Sequence, residues 1–284
     1  MTPPESDVRR AVQRALEEDL GSGDITSAAV VDESIRARGS FVAREAIVVC
    51  GLGVAREVFR QVDPELIFET PVQDGRACGA AERLGTVRGS GRSILAAERT
   101  ALNFLQRMSG IATATRSALG RMGNREVQIA DTRKTVPGLR TLDKYAVTTG
   151  GGTNHRTGLF DAYLIKDNHW RLAGGVREAL RRARLALAGR AAPGIGLEIE
   201  VSTLREVREA LDGGADALLF DNMDDATLQA AAEMARGHAF LEVSGGVRED
   251  RLADLGRLGV QRISIGALTH SVRAVDIALE VEAA

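Results

Sequence analysis

Of 37 basic residues only three are lysines, and Lys134, Lys144 and Lys166 all fall within one stretch of 33 residues. A chain that otherwise uses arginine but keeps lysine here marks positions where a compact, flexible ammonium serves better than a planar guanidinium. Arg133, Arg140, His155 and Arg156 share that stretch, so seven basic groups lie within 34 residues, with few carboxylates besides Asp131, Asp143, Asp161 and Asp167 nearby. That density suits a polyanionic ligand. Arg140 and Lys144, four residues apart, equally suit a solvated helix face, and His155 equally suits a loop cap. The run GGGTNHR (150–156) carries three glycines, which fit a close approach to a ligand or a sharp turn.

A second anion feature comes late. SGGV (244–247) and SIGALTHS (264–271) are small-residue loops, each expected to precede a helix and to offer backbone N–H groups to a phosphate. Opposite the cations, Glu200 and Asp221 are hard carboxylates able to hold Mg²⁺, directly or indirectly, or to accept hydrogen bonds from sugar hydroxyls. Ion pairs with Arg133 or Lys166 are the structural alternative.

The elements that would position these groups are legible in the second half of the chain. VQIA (127–130), AYLI (162–165), LEIEV (197–201), ALLF (217–220), FLEV (240–243) and RISI (262–265) recur as short apolar runs, mostly separated by amphipathic helical patterns. Strand–helix alternation at this spacing predicts a parallel (β/α) barrel, short or open because six strands are visible. Polar residues follow the runs: Thr132, Arg133 and Lys134; Lys166, Asp167 and Asn168; Asp221 and Asn222; Ser244, Gly245 and Gly246; Gly266. Barrel enzymes place their sites at that rim. A dinucleotide-binding sheet is disfavoured because no G-x-G-x-x-G follows an early strand.

The first half reads as mixed α/β, with the change near residue 111. A helix is expected over 5–18, then a loop at LGSGDITS, β-like runs GSFVAREAIVVCG and ELIFETPV, a turn at VQDGRACG, and a helix from about Leu95. In that helix Ala101, Leu105, Met108 and Ala112 line one face, while Arg99, Asn103 and Gln106 form a polar stripe.

Composition narrows the classes. A net charge of -2 over 284 residues leaves no general surface for nucleic acid or membrane, so any anion site is local. Cys50 and Cys78 form neither a disulfide framework nor a zinc pattern, which fits a reducing cytoplasm. No apolar run approaches the roughly 18–20 residues of a membrane span.

The blocks EDLGSGDIT, ERTALNFLQRMSGIAT, DTRKTVPGLRTLDKYAVTTGGGTNHRTGLFDAYLIKDNH, LEIEVSTL, LLFDNM, LEVSGGV and ISIGALTHS resemble, in order and spacing, the quinolinate phosphoribosyltransferases. The likeness covers about residues 15–272, and its central block of 39 residues is the most specific part. Val136, Asp143 and Trp170 depart from the usual pattern without removing a charged ligand group. The resemblance implies an N-terminal α/β sandwich domain (1–110 with 271–284) and an open α/β barrel of TIM type (111–270). It implies transfer of phosphoribosyl from 5-phosphoribosyl 1-pyrophosphate to quinolinate with decarboxylation, giving nicotinate mononucleotide, CO₂ and pyrophosphate, with Mg²⁺ and no Schiff base. It also implies a homodimer or larger assembly in which Arg99 reaches the neighbouring subunit's site. Arg133, His155, Arg156 and Lys166 would grip quinolinate, with Thr132 beside them. Lys134, Glu200 and Asp221 would face the phosphoribosyl pyrophosphate and its metal, and Ser244, Gly245, Gly246, Ile265, Gly266 and Ala267 its 5-phosphate. The alternative is a related paralogue with another substrate, of the type associated with molybdate uptake.

Overall fold

The computed structural model describes residues 2–124, 126–188 and 196–284. They form two compact units, 1–116 with 135–151 and 267–284, and 117–134 with 152–266.

In chain order the first unit opens with α1 (Glu5–Leu20), α2 (Ile25–Val30), β1 (Arg36–Ala43), β2 (Ile47–Val48), α3 (Leu52–Val62), β3 (Ile67–Glu69), β4 (Ala77–Cys78) and β5 (Arg83–Ser90). Then α4 (Gly91–Met122) carries the chain on into the second unit, so the change expected near residue 111 falls inside a helix. The segment LGSGDITS is not all loop: the Asp24 carboxylate accepts hydrogen bonds from the N–H groups of Thr26 and Ser27 and so starts α2. On β1 burial alternates along the strand, and Phe41 from it meets Phe59 and Phe68 at 5.9 and 5.8 Å between ring centroids. Ala101, Leu105, Met108 and Ala112 are buried on α4, whereas Arg99 and Asn103 stay exposed.

Further along the chain come β6 (Gln128–Ala130), α5 (Arg140–Gly150), β7 (Tyr163–Ile165), α6 (Asp167–Ala173), α7 (Val176–Leu187), β8 (Leu197–Val201), α8 (Leu204–Asp212), β9 (Ala217–Asp221), α9 (Asp225–Ala235), β10 (Phe240–Ser244), α10 (Leu252–Leu255), β11 (Arg262–Ser264), α11 (Ala267–His270) and β12 (Ile277–Ala283). The helix expected to close the chain is a strand instead. Its apolar residues alternate, and β12 pairs antiparallel with β1 from Ala283↔Ala37 to Ile277↔Ala43, giving a first-unit sheet in the order β12-β1-β5-β3.

The first unit also contains α5, and there the alternative of a solvated helix face does not hold for Lys144, which is buried, as is Asp143 beside it; Arg140 is partly exposed. Asp143 accepts two hydrogen bonds from Arg107, at 3.0 and 2.8 Å, and a third from the Val136 N–H. Burial raises its carboxyl above the ordinary range, and Arg107 opposes that. Replacing Arg107 by Ala strands a buried carboxylate, so stability should fall by about 3–5 kcal/mol in denaturant titrations; a loss under about 1 kcal/mol would show that the pair is not holding the unit together. The glycine run owes its first member to packing. A Cβ at Gly150 would sit 2.5 Å from the Ala112 carbonyl oxygen, and Gly151, with φ +103°, ends α5, so the sharp-turn reading of the run holds.

In the second unit all six apolar runs are parallel strands of an open (β/α) barrel of TIM type, in the order β6-β11-β10-β9-β8-β7. All five residues of β8 are buried, as expected of a strand covered on both faces. Leu197, Ile199 and Val201 alternate along it with Glu198 and Glu200, so the two carboxylates share one side of the sheet. Asp224 and Thr203 cap α9 and α8 with side-chain hydrogen bonds to backbone N–H groups.

Candidate active site

At the C-terminal ends of the barrel strands lies a cavity of about 280 Å³, lined by Thr132, Arg133, Lys134, His155, Arg156, Leu164, Lys166, Glu200, Leu219, Asp221, Glu242, Ser244 and Ser264. That volume lies just below the usual range for small-molecule sites, about 300–1,000 Å³. Groups that lie up to 132 positions apart in the chain therefore meet in one place because β6 to β11 end together.

The loop after β6 and the 152–156 segment are tied together by Asp131, which is fully buried. Its carboxylate accepts from the His155 backbone N–H at 3.0 Å and from the Asn154 side-chain amide at 2.5 Å. Arg156 donates from its guanidinium to the Ala162 carbonyl at 3.3 Å. Its affinity for the proton is lowered by burial first, and next by the neighbouring Arg133 guanidinium. Two fixed cations crowded into a half-buried space carry a Coulomb cost that an anion placed between them removes.

Across the cavity, Lys166 donates from Nζ to Glu200 Oε2 at 2.9 Å. Asp221 ends β9, and its Oδ2 accepts from the Asn222 amide at 2.7 Å. The site thus sets four basic side chains, Arg133, Lys134, Arg156 and Lys166, against three acidic ones, Glu200, Asp221 and Glu242. Burial pushes Glu242 up to about 7, with the Glu198 carboxylate adding to the shift.

The late loops behave as expected only in part. At Gly245, φ is +81° and a Cβ would lie 2.6 Å from Asn222 Oδ1, so only glycine fits that turn. The helices that follow are single turns, a 3-10 turn at Glu249–Arg251 before α10 and the four residues of α11, and so have little macrodipole to offer a phosphate. The Ile265 N–H is already given to the Ala130 carbonyl at 2.9 Å, which corrects its expected role as a phosphate donor. Arg99, Arg140 and Lys144 belong to the first unit, and the cavity is built from the second.

Sequence reading overlooked Glu198, Glu242 and Arg262. All three are buried, with Arg262 donating to Glu242 and, at 3.2 Å, to Glu198. The signal was present as charges inside apolar strands, Glu198 two residues before Glu200 in LEIEV, Glu242 in FLEV and Arg262 at the head of RISI. The cluster should leave a pH signature. Glu242 is raised from 4.5 to about 7 on folding, so its contribution to stability is complete below 4.5 and is lost as pH rises through about 7. The melting temperature should therefore fall between about pH 5 and 8, and less steeply in Glu242→Gln. Parallel curves for the two proteins would contradict this.

A second cavity, about 340 Å³ in the first unit, includes Glu5, Arg9, Glu57, Arg60, Asp74 and Tyr145 in its lining. There Arg60 is bound to Glu57 and Asp74 accepts from the Tyr145 hydroxyl, so the charges satisfy one another and offer little to an anion.

Family models described as quinolinate phosphoribosyl transferase, N-terminal domain and C-terminal domain match residues 24–109 and 111–280. A protein of Oryza sativa subsp. japonica named nicotinate-nucleotide pyrophosphorylase (carboxylating), chloroplastic, is 40% identical over 295 residues, covering 98% of this chain and 79% of its own. The probable nicotinate-nucleotide pyrophosphorylase (carboxylating) of Bacillus subtilis is 39% identical, covering 93% of this chain and 90% of its own. The solved structure of the nicotinate-nucleotide pyrophosphorylase from Francisella tularensis superposes with a TM-score of 0.92 at 38% identity, covering 99% of this chain and 98% of that one.

Proposed function

The chain belongs to the quinolinate phosphoribosyltransferase family, and from that premise we propose that its barrel cavity joins quinolinate to the phosphoribosyl group of 5-phosphoribosyl 1-pyrophosphate and expels CO₂. The observation that carries this reading is the convergence of Arg133, Lys134, Arg156 and Lys166 on one cavity at the strand ends of the barrel. Two polyanions repel one another, and a prearranged set of guanidinium and ammonium groups offsets that repulsion before any bond changes.

Arg133, Arg156 and Lys166 take the two carboxylates of quinolinate, and Thr132 lies beside them. Lys134 faces the pyrophosphate. The ribose 5-phosphate is taken by the Ser244 hydroxyl and by the N–H groups of Gly245, Gly246, Gly266 and Ala267, without that of Ile265. Glu200 and Asp221 accept from ribose hydroxyls or hold Mg²⁺. Their oxygens are hard donors at the rim, each carboxylate already shares one oxygen with Lys166 or Asn222, and this fits a cation bound mainly through substrate oxygens. Bound Mg²⁺ would supply charge neutralisation to the pyrophosphate.

The pyridine nitrogen gives its lone pair to C1 of the ribose while the bond from C1 to the pyrophosphate oxygen breaks and pyrophosphate keeps that pair. The ring is now cationic. The bond from C2 to its carboxylate then breaks, CO₂ leaves, and the pair remaining on C2 is stabilised by the adjacent ring nitrogen until a proton replaces it. Orientation and electrostatics are what the protein contributes. Quinolinate labelled in the 2-carboxylate should release labelled CO₂ in step with pyrophosphate and nicotinate mononucleotide. Pyrophosphate release that is equally fast with nicotinate would favour the paralogue with another substrate.

We further infer a homodimer or larger assembly with shared sites. Arg99 is exposed on α4, and Leu159, Phe160 and Leu172 are large apolar side chains 72%, 87% and 89% exposed in the single chain. Mixed assemblies of Arg99→Ala and Lys166→Ala chains should recover activity that neither variant has alone. A verified mixed dimer without recovery would count against sharing. Cys50 and Cys78 are buried free thiols, which supports a reducing cytoplasm as the compartment. No described helix is long and apolar enough to cross a membrane.

A further inference from the structure

His155 lines the cavity, and the resemblance adds it to the groups that grip quinolinate, but its two ring nitrogens already face the protein. Nδ1 accepts a hydrogen bond from the backbone N–H of Arg156 at 2.7 Å. Nε2 lies 3.2 Å from Glu198 Oε2 and 3.5 Å from Glu242 Oε1, and the side chain is only 9% exposed. A lone pair at Nε2 would face two carboxylate oxygens, so the proton belongs there; a second proton on Nδ1 would set one N–H against another. Arg262 holds the remaining oxygens of both carboxylates from its own side. The imidazole is therefore a rigid spacer between a buried ionic cluster and the main chain of Arg156, whose guanidinium is crowded by Arg133.

We propose that His155 is a positioning residue that anchors Arg156 to the Glu198, Glu242 and Arg262 cluster and donates nothing to the substrate. Arg156 must hold its guanidinium against the repulsion of Arg133 while the cavity is empty, and a main chain pinned at residue 155 keeps it aimed inward. The inference rests on reading the cavity as the quinolinate site.

The test is a double-mutant cycle read as KM for quinolinate and kcat, with folding checked by circular dichroism. His155→Ala should raise KM about 10- to 30-fold in the wild-type background, yet change it less than about 3-fold in the Arg156→Ala background. Glu242→Gln, which leaves the ring in place, should show the same pattern with a smaller loss, and it carries the cycle if His155→Ala does not fold. Equal fold-losses in both backgrounds would make His155 an independent substrate ligand and overturn the proposal. A second arm needs no activity: ¹⁵N-histidine spectra near neutral pH should show the Nε2–H tautomer, and an imidazolium or an Nδ1–H form would overturn it equally. A wild-type protein that releases no CO₂ from quinolinate would defeat the functional reading instead, with the tautomer still decided by the spectra.

Discussion

Lys166→Ala is expected to lower kcat/KM by about 10²–10³-fold, roughly 3–4 kcal/mol of transition-state stabilisation, while leaving the melting temperature near that of the wild type. Two effects combine. The variant removes an ammonium from beside a dianionic substrate, and it leaves Glu200, whose side chain is 11% exposed, without the partner that lies 2.9 Å away. A carboxylate freed in this way repels the anions that the cavity must hold. Lys166→Arg should not restore the rate, because a planar fork cannot take the place of a point charge at 2.9 Å from Glu200. The fold should survive because Lys166 is at the rim with its side chain 47% exposed, so water reaches the pair with Glu200 and losing it costs far less than losing Arg107 from Asp143. Steady-state kinetics of the purified variant, with melting curves as the control, give the answer, and activity within about threefold of the wild type would remove Lys166 from the site.

Arg156→Ala should act mainly on KM for quinolinate, raising it by about 10²-fold, because a charge-assisted contact with a carboxylate in a half-buried site is worth about 2–3 kcal/mol. Removing one of two crowded guanidiniums also relieves the repulsion that lowers its proton affinity. The empty protein should then be unchanged or slightly more stable, the usual trade between a prepared site and a comfortable fold. A fall in kcat with KM unchanged would place Arg156 near the pyrophosphate rather than near quinolinate.

Much of this was legible in the chain. The six apolar runs become β6 to β11 with boundaries shifted by a residue or so, because strands buried on both faces read as continuous hydrophobic segments. Thr132, Arg133, Lys134, Arg156, Lys166, Glu200, Asp221 and Ser244 converge because strand ends in a parallel barrel share a rim. What was missed depended on long-range contacts. The strands β5 and β12 form one sheet with β1 across nearly the whole length of the chain, and no local period reveals that pairing. Lys144 and Asp143 look like surface charges in a helical pattern, and it takes Arg107, 36 positions before Asp143, together with the Val136 N–H to make burial of that carboxylate tolerable. Glu198 and Glu242 were passed over because a carboxylate within a β-run suggests an exposed face, whereas Arg262 from another strand neutralises them inside the barrel.

Titration calorimetry of quinolinate into the wild-type protein and into an Arg133→Ala/Arg156→Ala double variant puts the anion grip itself on trial. Saturable binding that weakens as salt is raised, and that the double variant loses, is the predicted result. Equal affinity in the two proteins would mean that the paired guanidiniums do not hold the dicarboxylate.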